Sequence, residues 1–448
     1  MSFNPLKSKY CPQFARNVLA SVRGHQLNWW RYGKDTERLV EEAFGRESWS
    51  VDQWNRWREE RLAFILERAR KTVPYYKEYW DARGGSDDWK ELGNWPVLEK
   101  ATLRERSREF VSADVSLWRM FATNTSGTTG APLRLLSTRE TLRFEYAIFE
   151  ARVRRWNGVS RHDRWAMFGG QTIVPAPQSH APFWVWNLPM NQLYMSVYHI
   201  SEATADAYLD ALAHYKIQYA VAFPSAINSL AKFANKRKRK DVRLKFVVAN
   251  AETLYAHQRD EIAEAFGCPV RETYGMAEWV AFASECLHGG LHVSPEAGIL
   301  EDDGRDLIAT GLMNKDMPLI RYRVGDRITL SDSLCSCGRP LPLVQKVDGR
   351  FDDVIVTKDG REHGSLDVVF KTAKGLSEAQ IVQKSLDRLV IRYVPDETFN
   401  PEILGKIRME LRSLVNEMQI DFEQVHSIPR TTNGKFRVLV SEVAKRVQ

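Results

Sequence analysis

A chain of 448 residues, 44% hydrophobic and 27% charged, has ample material for folded cores, and no apolar run approaches the roughly 18 residues of a membrane span. Its 64 Lys and Arg against 57 Asp and Glu leave a net charge of only +7, which gives no ground for a dedicated polyanion binder, so no nucleic-acid partner is expected. Five cysteines, Cys11, Cys268, Cys286, Cys335 and Cys337, are too few and too unevenly spaced for a disulfide framework. No secretory signal pattern can be drawn over the first residues, and a cytoplasmic protein is expected.

In chain order, Phe14, Trp29 and Trp30 stand among Lys7, Lys9, Arg16 and Arg23, a pattern that marks a candidate peripheral membrane or partner contact. From Val51 the spacing of Trp54, Trp57, Leu62, Ile65 and Leu66 predicts an amphipathic helix that Val73-Pro74-Tyr75-Tyr76 breaks, so residues 1–110 read as a helical entry region. Past Ser126, β-rich runs such as Leu244–Val248 alternate with helical stretches such as Ala203–His214, the rhythm of strands joined by crossover helices. The expected fold is α/β: a large domain over 1–349 and a small α+β cap over 350–448. In the cap, Asp353–Val356, Leu389–Val394 and Asp421–Val425 are predicted as strands, and Glu378–Lys384 and Ile403–Met418 as helices. The run Lys236–Lys240 reads as a solvated helix end, with contact to an anionic ligand or surface as the alternative.

Thr125-Ser126-Gly127-Thr128-Thr129-Gly130 concentrates hydroxyls and glycines, offering unobstructed backbone N–H groups of the kind an oligophosphate requires, although such a loop alone is often only a turn. Four further segments and a lysine motif follow in order: Asn250-Ala251-Glu252, Tyr274-Gly275-Met276-Ala277-Glu278, Arg321–Asp326, Gly349-Arg350-Phe351-Asp352, and Pro429–Lys435. Together they resemble the adenylate-forming superfamily of acyl-CoA synthetases, luciferases and adenylation domains. Within it the chain is similar to the phenylacetate–CoA ligase branch and its CapK-like members, including at Val73–Tyr76 and Trp95–Lys100.

The resemblance implies an ATP- and magnesium-dependent ligase that makes an acyl adenylate, with CoA or an amine or hydroxyl metabolite as acceptor. An adenylyltransferase and a silent nucleotide-binding partner remain the alternatives. The resemblance assigns residues 125–130 to the ATP phosphates and Glu278 to magnesium, lines the adenine with Ala251, Glu252 and Tyr274, adds Gly275 to the ATP site, and gives the ribose to Asp326. Arg350 then reaches the ribose or phosphates, Asp352 is the hinge, and Lys435 is the catalytic lysine of the small domain. The types suit the reaction: a carboxylate attacking the α-phosphorus joins two anions, so positive charge and positioning carry it. Two positions depart from the pattern, Ala131 where a lysine is usual and Ala277 where a threonine is.

Cys286 and His292, with five residues between them, and the Cys335-Ser336-Cys337-Gly338 knuckle form a second constellation, four N/S donors suited to structural zinc, with His288 as a competing ligand. A small-molecule carboxylate with an apolar or ring-shaped body is expected in a pocket built from Phe168-Gly169-Gly170, Pro182–Trp186 and Phe223-Pro224-Ser225, with core packing as the alternative reading of these aromatics.

Overall fold

The computed structural model describes residues 11–84, 87–124, 133–175, 177–302, 306–331, 333–350, 355–358, 362–363, 369–370, 375–415, 418–431 and 434–443. Helices α1 (Gln13–Arg31), α2 (Thr36–Arg46), α3 (Val51–Thr72), α4 (Pro74–Asp81) and α5 (Lys100–Glu105) come first. Ser50 and Gln53 start α3 by exchanging side-chain and backbone hydrogen bonds, which satisfies two of the donors a helix start leaves open. The expected break is real: α3 stops at Thr72, Pro74 opens α4, and Trp54, Ile65 and Leu66 are buried as the periodicity predicted.

Strands β1 (Met120–Asn124) and β2 (Arg134–Thr138) pair antiparallel, with Asn124 opposite Arg134, and α6 (Arg139–Phe149) follows. The main sheet then takes β3 (Trp165–Gly169), β4 (Trp184–Asn187) and β5 (Gln192–Ser196) before α7 (Ala205–His214). Next come β6 (Tyr219–Ala222), α8 (Pro224–Lys236), β7 (Phe246–Ala249), α9 (Ala256–Phe266) and β8 (Val270–Gly275). Strands β9 (Phe282–Glu285), β10 (Leu291–Val293), β11 (Gly298–Asp302), β12 (Leu307–Gly311), β13 (Tyr322–Arg323), β14 (Asp326–Ser331) and β15 (Leu343–Arg350) complete the large region.

Ten of these strands form one sheet in the order β14-β15-β10-β9-β8-β7-β6-β3-β5-β4. The run β8-β7-β6-β3-β5 is parallel, and the chain leaves β3 toward β5 and returns to its other side with β6. Both faces are covered. Leu209, Ile227, Leu230, Ile262 and Phe266 pack on one, Val40, Ile148 and Val153 on the other, so β6 and β7 are apolar at every position. The outer edge at β4 is closed by α1: Gln13 Nε2 donates to Trp184 O at 2.6 Å, the Trp186 N–H to Asn17 Oδ1 at 3.0 Å, and the Leu188 N–H to Ser21 Oγ at 3.2 Å.

The C-terminal region carries β16 (Ile355–Val356), β17 (Glu362–His363), β18 (Leu376–Ser385), β19 (Arg388–Pro395), α10 (Glu402–Val415), β20 (Gln419–Gln424) and β21 (Leu439–Ser441). Its four-stranded sheet, β20-β19-β18-β21, packs Ile381, Leu389 and Ile391 against Ile407, Leu411 and Val415 of α10. One expectation is corrected: Glu378–Lys384 is strand, not helix. It is an inner strand between β19 and β21, and its buried polar side chains are satisfied across the sheet, Gln380 Nε2 to Arg437 O at 2.7 Å and Gln383 Nε2 to Val356 O at 2.6 Å. The basic run is a paired helix end. Lys236 meets Glu202 and Glu397, Arg237 meets Asp206, and Arg239 meets Asp206, Asp210 and Asp241.

Candidate active site and metal centre

The carboxyl ends of the parallel strands are where an open α/β sheet leaves a crevice, beside the strand at which the winding reverses. Here Gly169 ends β3, Ser196 ends β5, Ala222 ends β6, Ala249 ends β7 and Gly275 ends β8. The motif segments at Phe223–Ser225, Asn250–Glu252 and Met276–Glu278 therefore all emerge on one edge. Ala251 is exposed at a left-handed φ of 64°, which turns the chain sharply after β7 and carries Glu252 back toward Ser225.

Asp326 and Tyr274 meet as side chains: the Tyr274 hydroxyl donates to Asp326 Oδ2 at 3.0 Å. Asp326 opens β14 opposite Arg350 at the end of β15, of which only the backbone is described. Gly275, next to Tyr274, is exposed. Residues 125–130 and Asp352 lie outside the described residues.

Glu278 is nearly buried, and its Oε1 accepts from the Tyr322 hydroxyl at 2.9 Å and faces Lys100 Nζ at 3.6 Å. Local pairing brings these together. Leu98 and the Arg321–Arg323 segment exchange backbone hydrogen bonds, Leu98 N to Arg321 O at 2.9 Å and Arg323 N to Leu98 O at 3.0 Å, so Lys100 arrives beside the strand that carries Tyr322. Nothing in the sequence spacing singles out Lys100, which meets Glu278 only through this pairing.

Lys435 sits in a tight turn held by Thr431, whose Oγ1 accepts from Lys435 N at 3.1 Å. That turn is seated on the large region. Phe436 N donates to Glu252 Oε1 at 2.7 Å, while the Ser225 N–H donates to Oε2 at 3.0 Å. Burial raises the Glu252 carboxyl above the usual range, and the two backbone donors pull the other way. Gly434 has φ 74°, and a side chain there would come within 2.9 Å of Val197 and 3.1 Å of the Tyr198 hydroxyl, so only glycine fits this approach. Glu252 thus grips the turn that presents Lys435.

The aromatics expected to line an acyl pocket divide. Phe168 and Phe183 are core, Phe183 stacking on His199 and Tyr208. Tyr198, absent from the sequence reading, faces the crevice: its hydroxyl donates to Gly170 O at 2.8 Å, and burial raises its phenol.

On the antiparallel side, Cys286 follows β9, His292 lies in β10, and Cys335 and Cys337 lie in the connection from β14 to β15. Their donor atoms all fall within 4.8 Å of one another. Cys286 Sγ is 3.7 Å from Cys335 Sγ, and Cys337 Sγ is 3.2 Å from His292 Nε2. A tetrahedral zinc with bonds of about 2.3 Å to sulfur needs sulfurs about 3.8 Å apart, so the set fits. His292 Nδ1 lies 3.3 Å from Leu341 O, which turns Nε2 toward the thiols. The competing His288 is exposed, with Nδ1 3.4 Å from Ser336 Oγ, and is not one of the four.

A sequence model described as the CapK C-terminal domain matches residues 355–442, and one described as AMP-binding enzyme matches residues 55–309. The chain belongs to the AMP-binding enzymes. Its C-terminal region places this AMP-binding enzyme in the CapK-like branch of the adenylate-forming superfamily. It is 24% identical to protein CapK of Staphylococcus aureus, covering 97% of this chain and 98% of that one. It is also 24% identical to the phenylacetate–coenzyme A ligase of Thermus thermophilus, over 67% of this chain and 71% of that one. Among solved structures, 2-hydroxyisobutyryl-CoA ligase in the postadenylation state with 2-HIB-AMP shares the fold, at TM-score 0.69 and 18% identity over 89% of this chain and 92% of that one. The AMP-binding enzyme is an adenylate-forming ligase: a carboxylate and ATP give an acyl adenylate, and the acyl group passes to an acceptor.

Proposed function

We propose that this AMP-binding enzyme activates a small carboxylate in the crevice between Tyr198 and Glu252 and hands the acyl group to CoA, working in the cytoplasm as a relative of the phenylacetate–CoA ligases. The observation that carries this reading is the seating of the Lys435 turn on Glu252, at the edge where Tyr274 and Asp326 already meet. A lysine delivered there lies where charge develops as a carboxylate oxygen bonds to the α-phosphorus and the bond to the pyrophosphate oxygen breaks.

Asp326, oriented by Tyr274, accepts from the ribose hydroxyls, and Arg350 approaches the same nucleotide. Ala251, Glu252 and Gly275 border the adenine, and residues 125–130 hold the phosphates. Glu278 is the residue to hold magnesium, which would neutralise the phosphates when bound. Lys100, beside Glu278, supplies a cation to the phosphates in place of the one missing at Ala131; its position favours a working enzyme over a silent binder. Cys286, His292, Cys335 and Cys337 hold structural zinc. Residues 1–349 and 350–448 act as two bodies joined at Asp352.

ATP–pyrophosphate exchange over a panel of carboxylates tests the reading. Exchange with at least one acid, followed by CoA-dependent release of AMP, is expected. AMP retained covalently in the stable product would make the chain an adenylyltransferase.

A further inference from the structure

At the amino ends of β3, β5 and β6, on the sheet edge opposite the crevice, a cavity of about 350 Å³ opens between α1 and the turns that precede β3 and β5. Trp165 begins β3 there and Gly169 ends it at the crevice, so the strand runs about 13 Å between the two sites. Arg154, Arg161, His25 and His162 line this cavity, and no acid does. A larger cavity of about 440 Å³ beside α3 differs in this respect, because its Arg68 pairs with Asp114 and Asp316 and its Lys315 with Glu140.

Arg154 arrives through a local departure from α-helical geometry. After Phe149, α6 widens into a π-helical turn over Glu150–Arg154, which buries Arg152 on Glu296 and Arg154 among Tyr32, Tyr219 and Glu150. Arg154 Nε donates to the Tyr219 hydroxyl at 2.7 Å, and Nη1 to the Tyr32 hydroxyl and to Glu150 Oε2, each at 3.0 Å. Its Nη2 has no hydrogen-bond partner among the described residues, and neither have the side-chain amide of Asn28 and the rings of His25 and His162, which line the same space. The Arg154 side chain is only 3% exposed, so an unpaired amino group at its tip is held for whatever fills the cavity.

Charge and shape together select the ligand. Arg154, Arg155 and Arg161 share the carboxylates of Glu37 and Glu150, so the cluster keeps positive charge in excess. Asp35 and Asp163, near in sequence, are engaged by Arg143 and by the Ser160 N–H and hydroxyl. Arg161 lies 5.1 Å above the ring of Tyr32 while Arg154 holds the hydroxyl of that same ring, so the two guanidiniums converge on one residue. Two arginine forks that meet with no carboxylate facing them suit a dianionic phosphate, whose oxygens accept from several N–H groups at once. The remaining wall is apolar: Trp165 and Met190 are buried, with Pro189 and Trp29 beside them. A volume close to the lower limit of ligand cavities, about 300 Å³, leaves room for a body of about one ring.

We propose that this cavity binds a small phosphate monoester, its phosphate on Arg154 and Arg161 and its apolar or ring-shaped body against Trp165 and Met190. The cavity lies outside the adenylation crevice, so the proposal stands or falls separately from the proposed function.

Calorimetric titration of the full chain with phenyl phosphate tests it, with inorganic phosphate and benzoate titrated in parallel. Phenyl phosphate is expected to bind at least about tenfold more tightly than either of the others, and added salt to weaken it. Arg161→Gln should weaken binding at least about tenfold. Should that variant melt early, Asn28→Trp, which keeps every charge and fills the cavity, is expected to abolish binding. Asp326→Ala, in the crevice, leaves it unchanged. No binding of phenyl phosphate, or undiminished binding by a folded Arg161→Gln or Asn28→Trp variant, overturns the proposal. So does tighter binding of benzoate, which would make this a carboxylate site, or equal binding of inorganic phosphate, which would make it a bare anion site. Loss of binding in Asp326→Ala would move the phosphate to the crevice and overturn it as well.

Discussion

Glu145 lies on α6, and burial pushes its carboxyl up to about 8, with Arg31 only partly opposing. Its folded value therefore exceeds its unfolded value. The stability it allows is fully present below pH about 4.5 and is lost as pH rises toward about 8, because the unfolded chain releases that proton first. Glu145→Gln removes the dependence. Urea unfolding from pH 4.5 to 8 should show variant and parent diverging with rising pH, by on the order of 3 kcal/mol. Parallel curves would mean that water reaches the carboxylate. Glu145 has no part in the proposed chemistry, so pyrophosphate exchange by the variant should match the parent at neutral pH.

At the scale of elements, the cluster of Cys286, His292, Cys335 and Cys337 brings β9 and β10 to the connection between β14 and β15, and β14 begins at Asp326. Cys335→Ser should abolish stoichiometric metal and cost at least about 2 kcal/mol of stability, since bound metal contributes directly to folding. Ser336→Ala, its neighbour, should do neither. Metal analysis with thermal unfolding separates them, and a metal-free parent of unchanged stability would make the four residues a reduced core cluster. The Glu252 grip is the second device between elements. Glu252→Ala leaves the Ser225 and Phe436 N–H groups without their acceptor, each worth about 1–3 kcal/mol when buried, and should lower the melting temperature of the large region through Ser225 and slow adenylation at least tenfold through Phe436.

How much of this was legible in the sequence follows from how local each signal is. The amphipathic stripe of α3 and the break at Pro74 are short-range patterns, and they stand where the sequence put them. Glu378–Lys384 misled because Glu, Ala, Gln and Lys favour helix, yet partners on both sides made an inner strand of it. The pairing of Lys100 with Glu278 and the approach of Gly434 to Tyr198 were invisible because these residues are far apart along the chain. The clustering of Cys286, His292, Cys335 and Cys337 was legible despite similar separations, since paired cysteines are rare enough to stand out.

For the whole molecule, the catalytic role proposed for Lys435 ties the chemistry to how the C-terminal region sits. On the proposed function the seated turn presents Lys435 for adenylation, and a different face must serve acyl transfer if the two units alternate. Lys435→Ala should then reduce adenylation by at least about a hundredfold and leave transfer from a supplied acyl adenylate nearly intact. Single-turnover measurement of each half-reaction distinguishes this from a fixed arrangement, in which both would fall together.

The hydrogen bonds from Gln13, Asn17 and Ser21 to β4 also limit how this chain can be shortened. They occupy backbone groups that would otherwise accept another strand. A version beginning at Tyr32 would not simply be a helix shorter; it would offer an open rim to every other molecule in solution and grow by sheet extension.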